Sequence, residues 1–150
     1  MNIQFKLIHL FIFLLFGLNQ CKKENKDKPN VLLILTDNQS YYELGCNGHP
    51  IVKTPNIDKF ADQGIVLDHF YAPPFCSPSR AELLTGKYAL RLGVHNTIGG
   101  VSLIPAGENL LPDFLNKRGY ISGVFGKWHL GNEYPFNPLN RGFNRSYIHD

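Results

Sequence analysis

The chain has 150 residues, of which 43% are hydrophobic and 18% are charged, a composition that predicts one folded globular domain. Its net charge of +3 lies wholly in residues 1–29, because residues 30–150 hold equal numbers of basic and acidic side chains. A body without basic excess argues against a nucleic-acid-binding surface, and three cysteines are too few for a disulfide framework.

The first element in chain order is a leader. One positive charge in residues 1–6 precedes the apolar residues 7–18, a run too short for a comfortable transmembrane helix and typical of a secretory signal peptide. A buried core helix is the competing interpretation, but the charged residues 22–28 follow the apolar run directly. The sequence therefore predicts export.

Cys21 stands where the apolar run ends, which resembles a bacterial lipoprotein cleavage site. At such a site the cysteine thiol takes up lipid, and residues 22–28 would form a flexible tether to a periplasmic or outer-membrane surface. Asn19 and Gln20 stand where small residues are usual, so ordinary signal cleavage remains the alternative. We expect residues 1–21 to be a signal peptide of the lipoprotein type.

The body of the chain alternates strand-like and helix-like segments. Residues 31–35 form a continuous apolar run, typical of a strand buried on both faces. Residues 54–64 predict a helix that starts at a Thr-Pro pair and stops at a glycine. The remaining predicted elements are strand residues 65–67 and 70–71, a helix from residue 78 or 79 to 85, a helix over 110–118 and a strand over 120–125.

This order of elements predicts an α/β fold in which a mostly parallel central sheet is covered by helices. No element is predicted after residue 141, so residues 29–150 are expected to form an incomplete domain. Cys46 is expected to be packed near a turn, although pairing with Cys76 in an exported chain stays open.

The strongest chemical signal is the segment 76–86, which reads Cys-Ser-Pro-Ser-Arg-Ala-Glu-Leu-Leu-Thr-Gly. The N-terminus of a short helix favours anions, so a cysteine at that position is activated as a nucleophile. Arg80 lies one turn further on, from where its side chain can return to the same helix end and hold a planar oxyanion. For an isolated pair, a buried cysteine with a surface arginine is the commoner arrangement.

The complete segment resembles the signature of the sulfatase family, Cys-x-Pro-Ser-Arg followed by Leu-Thr-Gly. The resemblance covers residues 29–150 and implies the alkaline phosphatase-like sulfatase fold. It also implies that a maturation enzyme reads the cysteine, proline and arginine of the segment. That enzyme would oxidise Cys76 to formylglycine (3-oxoalanine), the catalytic nucleophile.

The resemblance extends to residues 29–38, which match the opening strand of sulfatases with its two adjacent carboxylates that bind Ca²⁺. Asp37 matches the first carboxylate, whereas the second position holds Asn38. An amide oxygen still coordinates Ca²⁺, although one negative charge is lost. The resemblance implies a metal site of Asp37, Asn38 and the modified Cys76. Taken alone, an Asp-Asn pair after a strand is more often a plain turn.

The third matching segment is residues 126–131, Gly-Lys-Trp-His-Leu-Gly. In an extended backbone, the side chains of Lys127 and His129 point to the same face. This motif lines the active site in the sulfatase family, which implies that Lys127 binds a sulfate oxygen. His129 would bond the reacting hydroxyl or move its proton, and Arg80 would orient the nucleophile.

The resemblance implies hydrolysis of sulfate esters, expected on sulfated carbohydrates or aryl sulfates outside the cytoplasm. Because the family supplies further metal ligands and basic residues from later in its sequence, residues 29–150 alone are expected to be inactive. Two alternatives remain. One is a phosphate or phosphonate ester hydrolase of the same superfamily, and the other is a non-catalytic surface lipoprotein that binds sulfated glycan.

Overall fold

The computed structural model describes residues 28–149 in two units, whose described parts are residues 28–35 and 36–149. The predicted signal peptide, the lipid attachment at Cys21 and all but the last residue of the tether therefore lie outside the described residues. Within the described range, no helix is both long and apolar enough to span a membrane.

Two helices of the second unit lie close to their predicted positions. Helix α1 (Pro55–Gln63) begins at the proline of the Thr-Pro pair and ends before the glycine, as predicted. The later helix, numbered α3 (Leu111–Asn116), is shorter than predicted. Its first turn is closed by Asp113, whose carboxylate accepts the Leu110 N–H at 2.7 Å. The Thr54 side chain makes no capping bond to α1, so Pro55 marks that start, whereas the Asp113 carboxylate closes the start of α3.

Between them lies α2 (Cys76–Thr85), which starts earlier than the predicted residue 78 or 79. The reason is that a proline in the first helical turn lacks only an N–H that the helix does not use there. The helix ends at Gly86, whose φ of 67° is left-handed and favours glycine. Cys76 is thus the first residue of α2, with extended Phe75 before it.

The sheet consists of two parallel strands, β1 (Gly123–Lys127) and β2 (Arg145–His149). Strand β1 is shifted towards the C-terminus relative to the predicted 120–125, and β2 was not predicted. The register pairs Gly123 with Arg145 at one end of the sheet and Lys127 with His149 at the other. On the inner face, Val124 and Ile148 pack against the hydrophobic core. The parallel pairing is the arrangement predicted for an α/β fold.

Two predicted strands are wrong for the described structure. Residues 31–35 are not paired in a sheet, and their side chains are exposed, by 85% at Leu32. Residues 65–67 and 70–71 also lack strand pairing, and Ile65 is 90% exposed. A strand needs hydrogen-bonding neighbours, and within residues 28–149 the only sheet is that of β1 and β2. Apolar composition alone does not supply such neighbours.

The hydrophobic core joins α2 to the end of β1. Ala81 of α2 is fully buried, and Trp128 and Leu130, which follow β1, are 3% and 1% exposed. The Trp128 ring meets the Phe143 ring edge-on, with centroids 5.8 Å apart. Because these side chains lie in one cluster, the core fixes the segment after β1 against α2. The remaining core residues are Ala89, Leu92, Val94, Ile104 and Leu110.

A buried arginine, which the sequence did not single out, holds the loop before α3. The Arg141 guanidinium donates to the backbone carbonyls of Ile104, Pro105 and Glu108 at 3.1–3.2 Å. Burial lowers the pKa of Arg141, because the charged form loses hydration. The three carbonyl acceptors satisfy donors that would otherwise be left unpaired in the interior.

Cys46 is exposed rather than packed, which corrects the expectation from the sequence. Its backbone, not its sulfur, holds the turn Gly45–Asn47, because the Cys46 N–H donates to the Asp58 carboxylate at 2.8 Å. Both Cys46 and Cys76 are free thiols, so the pairing of these two cysteines that the sequence left open does not occur in this structure.

Candidate active site

Helix α2 positions two of the predicted site residues. Cys76 occupies the first position of the helix and is half-buried, and Arg80 lies one turn on with 8% of its surface exposed. Ser77, Pro78 and Ala81 of the same helix are buried. The packing of that face against the interior therefore fixes the end of the helix that carries the sulfur.

The segment after β1 brings His129 to the sulfur. The Cys76 Sγ and His129 Nδ1 atoms are 3.2 Å apart, within hydrogen-bond distance for sulfur. His129 has a left-handed φ of 58°, so the segment is not extended here as the sequence analysis assumed. The buried Trp128 indole donates to the carbonyls of Gly131 and Phe136, at 2.9 and 3.2 Å. These bonds anchor the turn that aims the imidazole.

Asp37 joins the two basic residues of the site. The Lys127 ammonium donates to one Asp37 carboxylate oxygen at 2.8 Å, and an Arg80 nitrogen donates to the other at 3.4 Å. The hydrogen bond from Lys127 lowers the pKa of Asp37, helped by the charge of Lys127 and by Arg80. The same bond raises the pKa of Lys127, and the neighbouring Cys76 raises it further. Lys127 therefore carries a full positive charge beside the sulfur.

Arg80 links the site to the sheet. Its Nη1 donates to the Lys127 carbonyl at 2.7 Å, which ties the end of β1 to α2. Its Nε is buried and has no hydrogen-bond partner among the described residues. A buried N–H without an acceptor is destabilising, so this atom is suited to an oxygen supplied by a ligand.

Together these residues form what we call the Cys76 cluster, defined as Asp37, Cys76, Arg80, Lys127 and His129. It places a nucleophilic atom beside a group able to move protons and two positive charges. Such an arrangement stabilises negative charge that develops on a bound oxyanion and on the attacking atom. The structure thus brings together every predicted catalytic residue and two of the three predicted metal ligands, Asp37 and Cys76.

Asn38 stays outside the cluster. Its side chain is exposed, its φ is 54°, and no hydrogen bond joins it to the other five residues in the described structure. The oxygens of Asp37 and Asn38 are donors that Ca²⁺ prefers, but the ion takes about 6–8 oxygen ligands. No group of three or more acidic, cysteine or histidine side chains within residues 28–149 is arranged to hold a metal. The described residues therefore fit the chemistry of a Ca²⁺ site but supply only part of it.

The ion pair between Asp37 and Lys127 predicts a pH-dependent contribution to stability. Because the pKa of Asp37 is lowered, its carboxylate stabilises the folded protein above pH 3.8, and this stabilisation is lost as the pH falls through the folded pKa. Because the pKa of Lys127 is raised, its ammonium stabilises the folded protein below pH 10.5, and this stabilisation is lost as the pH rises through the folded pKa. We expect Asp37→Asn to lower the melting temperature by about 1–3 °C at pH 7, a small effect because the pair is partly exposed.

Thermal unfolding in the presence of a metal chelator at pH 7 and pH 3 tests this expectation. At pH 3 the wild type and Asp37→Asn should melt closer together, because this pH lies below the unfolded pKa of 3.8 and the contribution of the lowered pKa of Asp37 is partly lost. Asp62→Asn, which removes an exposed carboxylate of α1, is the control and should leave both temperatures unchanged. An equal difference at both pH values contradicts the assigned ion pair.

One residue of the site region was not assigned a role from the sequence. Ser77 follows Cys76, is fully buried, and donates its hydroxyl hydrogen bond to the His129 carbonyl at 2.7 Å. The residues are far apart in the sequence, so no local pattern indicates the bond. Ser77 also stands at the unspecified position of the signature Cys-x-Pro-Ser-Arg, so the resemblance gave it no signal either.

Comparison with known proteins agrees with the motifs. The family model described as Sulfatase matches residues 29–150. N-acetylgalactosamine-6-sulfatase of Homo sapiens is 44% identical over 130 residues, which covers 77% of this chain and 24% of the relative. Arylsulfatase A of Homo sapiens is 41% identical over 136 residues, covering 81% of this chain and 26% of the relative. The chain spans about a quarter of the length of these curated relatives.

Solved structures show the same relationship. The crystal structure of Ps i-CgsB in complex with k-i-k-neocarrahexaose matches with a TM-score of 0.74 and 36% identity, over 81% of this chain and 28% of that one. A second structure, in complex with its substrate D-glucosamine-2-N,6-O-disulfate, matches with a TM-score of 0.69 and 32% identity, over 80% and 23%. These likenesses confirm the predicted alkaline phosphatase-like α/β fold. The chain belongs to the sulfatase family.

Proposed function

We propose that the protein hydrolyses sulfate esters with a nucleophile at position 76. The observation that carries this proposal is the contact of 3.2 Å between Cys76 Sγ and His129 Nδ1 beside two basic residues. A sulfate ester is a tetrahedral anion whose cleavage leaves an alkoxide and spreads negative charge over oxygens. Two cations and an imidazole around one nucleophilic atom match those requirements.

Each residue of the Cys76 cluster has a defined part in this proposal. Lys127 binds a sulfate oxygen because its ammonium lies beside Cys76, and Arg80 binds another because its Nε is a donor without an acceptor among the described residues. His129 holds or accepts the proton of the attacking group, and returns a proton to the leaving alcohol oxygen. Asp37 keeps Lys127 charged and correctly oriented. Arg80 also fixes the Lys127 backbone through its carbonyl.

A modification and a metal ion complete the proposal. Formylglycine, which a maturation enzyme would form from Cys76, would supply in its hydrated form a hydroxyl nucleophile beside His129 and Lys127. Asp37 and Asn38 would hold part of a Ca²⁺ site, and the ion would supply positive charge that favours the ionised nucleophile and the bound sulfate. Both groups are supported by the match of residues 29–150 to the Sulfatase model.

The proposed substrate class is sulfated carbohydrate. Support comes from the related structure whose printed substrate is D-glucosamine-2-N,6-O-disulfate, and from the relative named N-acetylgalactosamine-6-sulfatase.

We also propose that the protein is exported and held at a periplasmic or outer-membrane surface by lipid on Cys21, a proposal supported by the apolar leader and the charged residues after it. An extracytoplasmic location suits polysaccharide substrates.

Paired ester substrates test the proposed reaction. The full-length protein, purified from its native host, is incubated with 4-nitrophenyl sulfate and with 4-nitrophenyl phosphate, which share one leaving group. Faster release from the sulfate ester, together with an aldehyde at position 76 by peptide mass spectrometry, supports the proposal. Preference for the phosphate ester favours a phosphate hydrolase instead. No turnover and an intact thiol, with retained binding of sulfated glycan, favours a binding protein.

A further inference from the structure

Helix α2 holds the segment after β1 at two points. The Arg80 side chain donates to the Lys127 carbonyl at 2.7 Å, and the Ser77 hydroxyl donates to the His129 carbonyl, also at 2.7 Å. The helix that carries Cys76 therefore also fixes the backbone on both sides of Trp128. These two hydrogen bonds, together with those of the Trp128 indole, hold His129 beside the sulfur.

The bond from Ser77 lies at a strained point of the backbone. His129 has a φ of 58°, a left-handed conformation that is unfavourable for a residue with a side chain. Such a conformation persists when the surrounding contacts enforce it. Ser77 is fully buried, so its hydroxyl exchanges no hydrogen bond with bulk water and the His129 carbonyl is its acceptor. The hydrogen bond is thus one of the contacts that hold the turn.

We propose that Ser77 is a positioning residue, which sets the His129 imidazole against the nucleophile through its hydrogen bond to the His129 carbonyl. This inference rests on the proposed sulfatase function. Ser77 touches neither Nδ1 nor Sγ in this proposal and takes no part in proton transfer. Removing its hydroxyl takes this hydrogen bond from the carbonyl and lets the turn move away from the left-handed conformation.

The first test measures turnover. We expect Ser77→Ala to lower kcat about 10- to 100-fold with little change in KM, because a displacement of about 1 Å at a catalytic group has effects of this size. Rates are divided by the fraction of chains that carry the aldehyde, measured by mass spectrometry, since the substitution lies within the segment that is modified. Thr85→Val is the matched control, because it removes a hydroxyl that donates a hydrogen bond to the Ala81 carbonyl within the same helix. This variant should leave kcat unchanged.

The second test does not depend on activity. In protein produced without the maturation enzyme, the alkylation rate of the Cys76 thiol by iodoacetamide reports its contact with His129, and peptide mass spectrometry separates it from Cys46. Ser77→Ala and His129→Ala should each change this rate in the same direction. The double variant should match His129→Ala alone, because Ser77 acts through His129.

The outcomes separate the two proposals. An inactive wild type that carries the aldehyde defeats the sulfatase function, whereas the alkylation result still decides the role of Ser77. An active wild type whose Ser77→Ala variant keeps kcat within about twofold overturns the positioning role. Additive effects of Ser77→Ala and His129→Ala on alkylation overturn it as well, because independent effects of two sites add.

Discussion

Cys76→Ala is expected to lower sulfate-ester turnover by the full-length protein at least about 1,000-fold, because it removes the atom from which the nucleophile is made. The fold should survive, since Cys76 is half-buried at the end of α2 and its sulfur contacts the site rather than the hydrophobic core. The measurement is kcat with 4-nitrophenyl sulfate, alongside the melting temperature of the same preparation.

Cys46→Ala is the matched control for this experiment. Cys46 is an exposed free cysteine outside the Cys76 cluster, so its loss should change neither kcat nor the melting temperature measurably. Turnover by Cys76→Ala at the wild-type rate is the result that removes position 76 from the mechanism. A parallel loss of activity in both variants would instead indicate damage unrelated to the nucleophile.

Arg80→Lys is expected to lower kcat/KM about 100-fold and to destabilise the protein by about 1–3 kcal/mol. The guanidinium serves two separate acceptors, the Lys127 carbonyl and Asp37, and keeps Nε as a further buried donor. An ammonium group has neither the planar fork nor the reach to serve all of these positions. Kinetics with 4-nitrophenyl sulfate and urea unfolding give the two quantities.

The comparison variant for Arg80→Lys is Arg91→Lys. Arg91 is an exposed arginine in the turn Ala89–Leu92, and exchange for lysine there should change stability by less than about 0.5 kcal/mol. Activity should also be unchanged. If Arg80→Lys behaves like Arg91→Lys in both measurements, the assigned bonds of Arg80 carry no weight in folding or catalysis.

The helices were more predictable than the strands for a physical reason. The ends of α1 follow from neighbouring residues, a proline at its first position and a glycine after its last, whose conformational preferences act locally. Strand β2, by contrast, exists through its pairing with β1, about twenty residues earlier, and its sequence Arg-Ser-Tyr-Ile-His carries little apolar content. Residues 31–35 have the apolar content of a strand but no strand partner in the described chain.

The site was predictable in its residues but not in its geometry. The motif strings indicated Cys76, Arg80, Lys127 and His129, because the segments that contain them resemble the signature segments of the sulfatase family. The left-handed backbone of His129 and its bond to Ser77 could not be read from the sequence, since both arise where α2 meets the segment after β1. Arg141 was missed for the same reason, because its acceptors are backbone carbonyls that carry no sequence signal.

The number of residues between the two halves of the site also sets the interval between their synthesis on the ribosome. His129 is 53 residues beyond Cys76, so at a synthesis rate of about 5–20 residues per second, roughly 3–10 s pass before the imidazole follows the sulfur out of the ribosome. During that interval Ser77, Pro78 and Arg80 have no sheet to pack against, although all three are buried once the chain folds. The rate of chain growth therefore limits the time in which an enzyme that reads this stretch as a linear sequence can act before the stretch is buried.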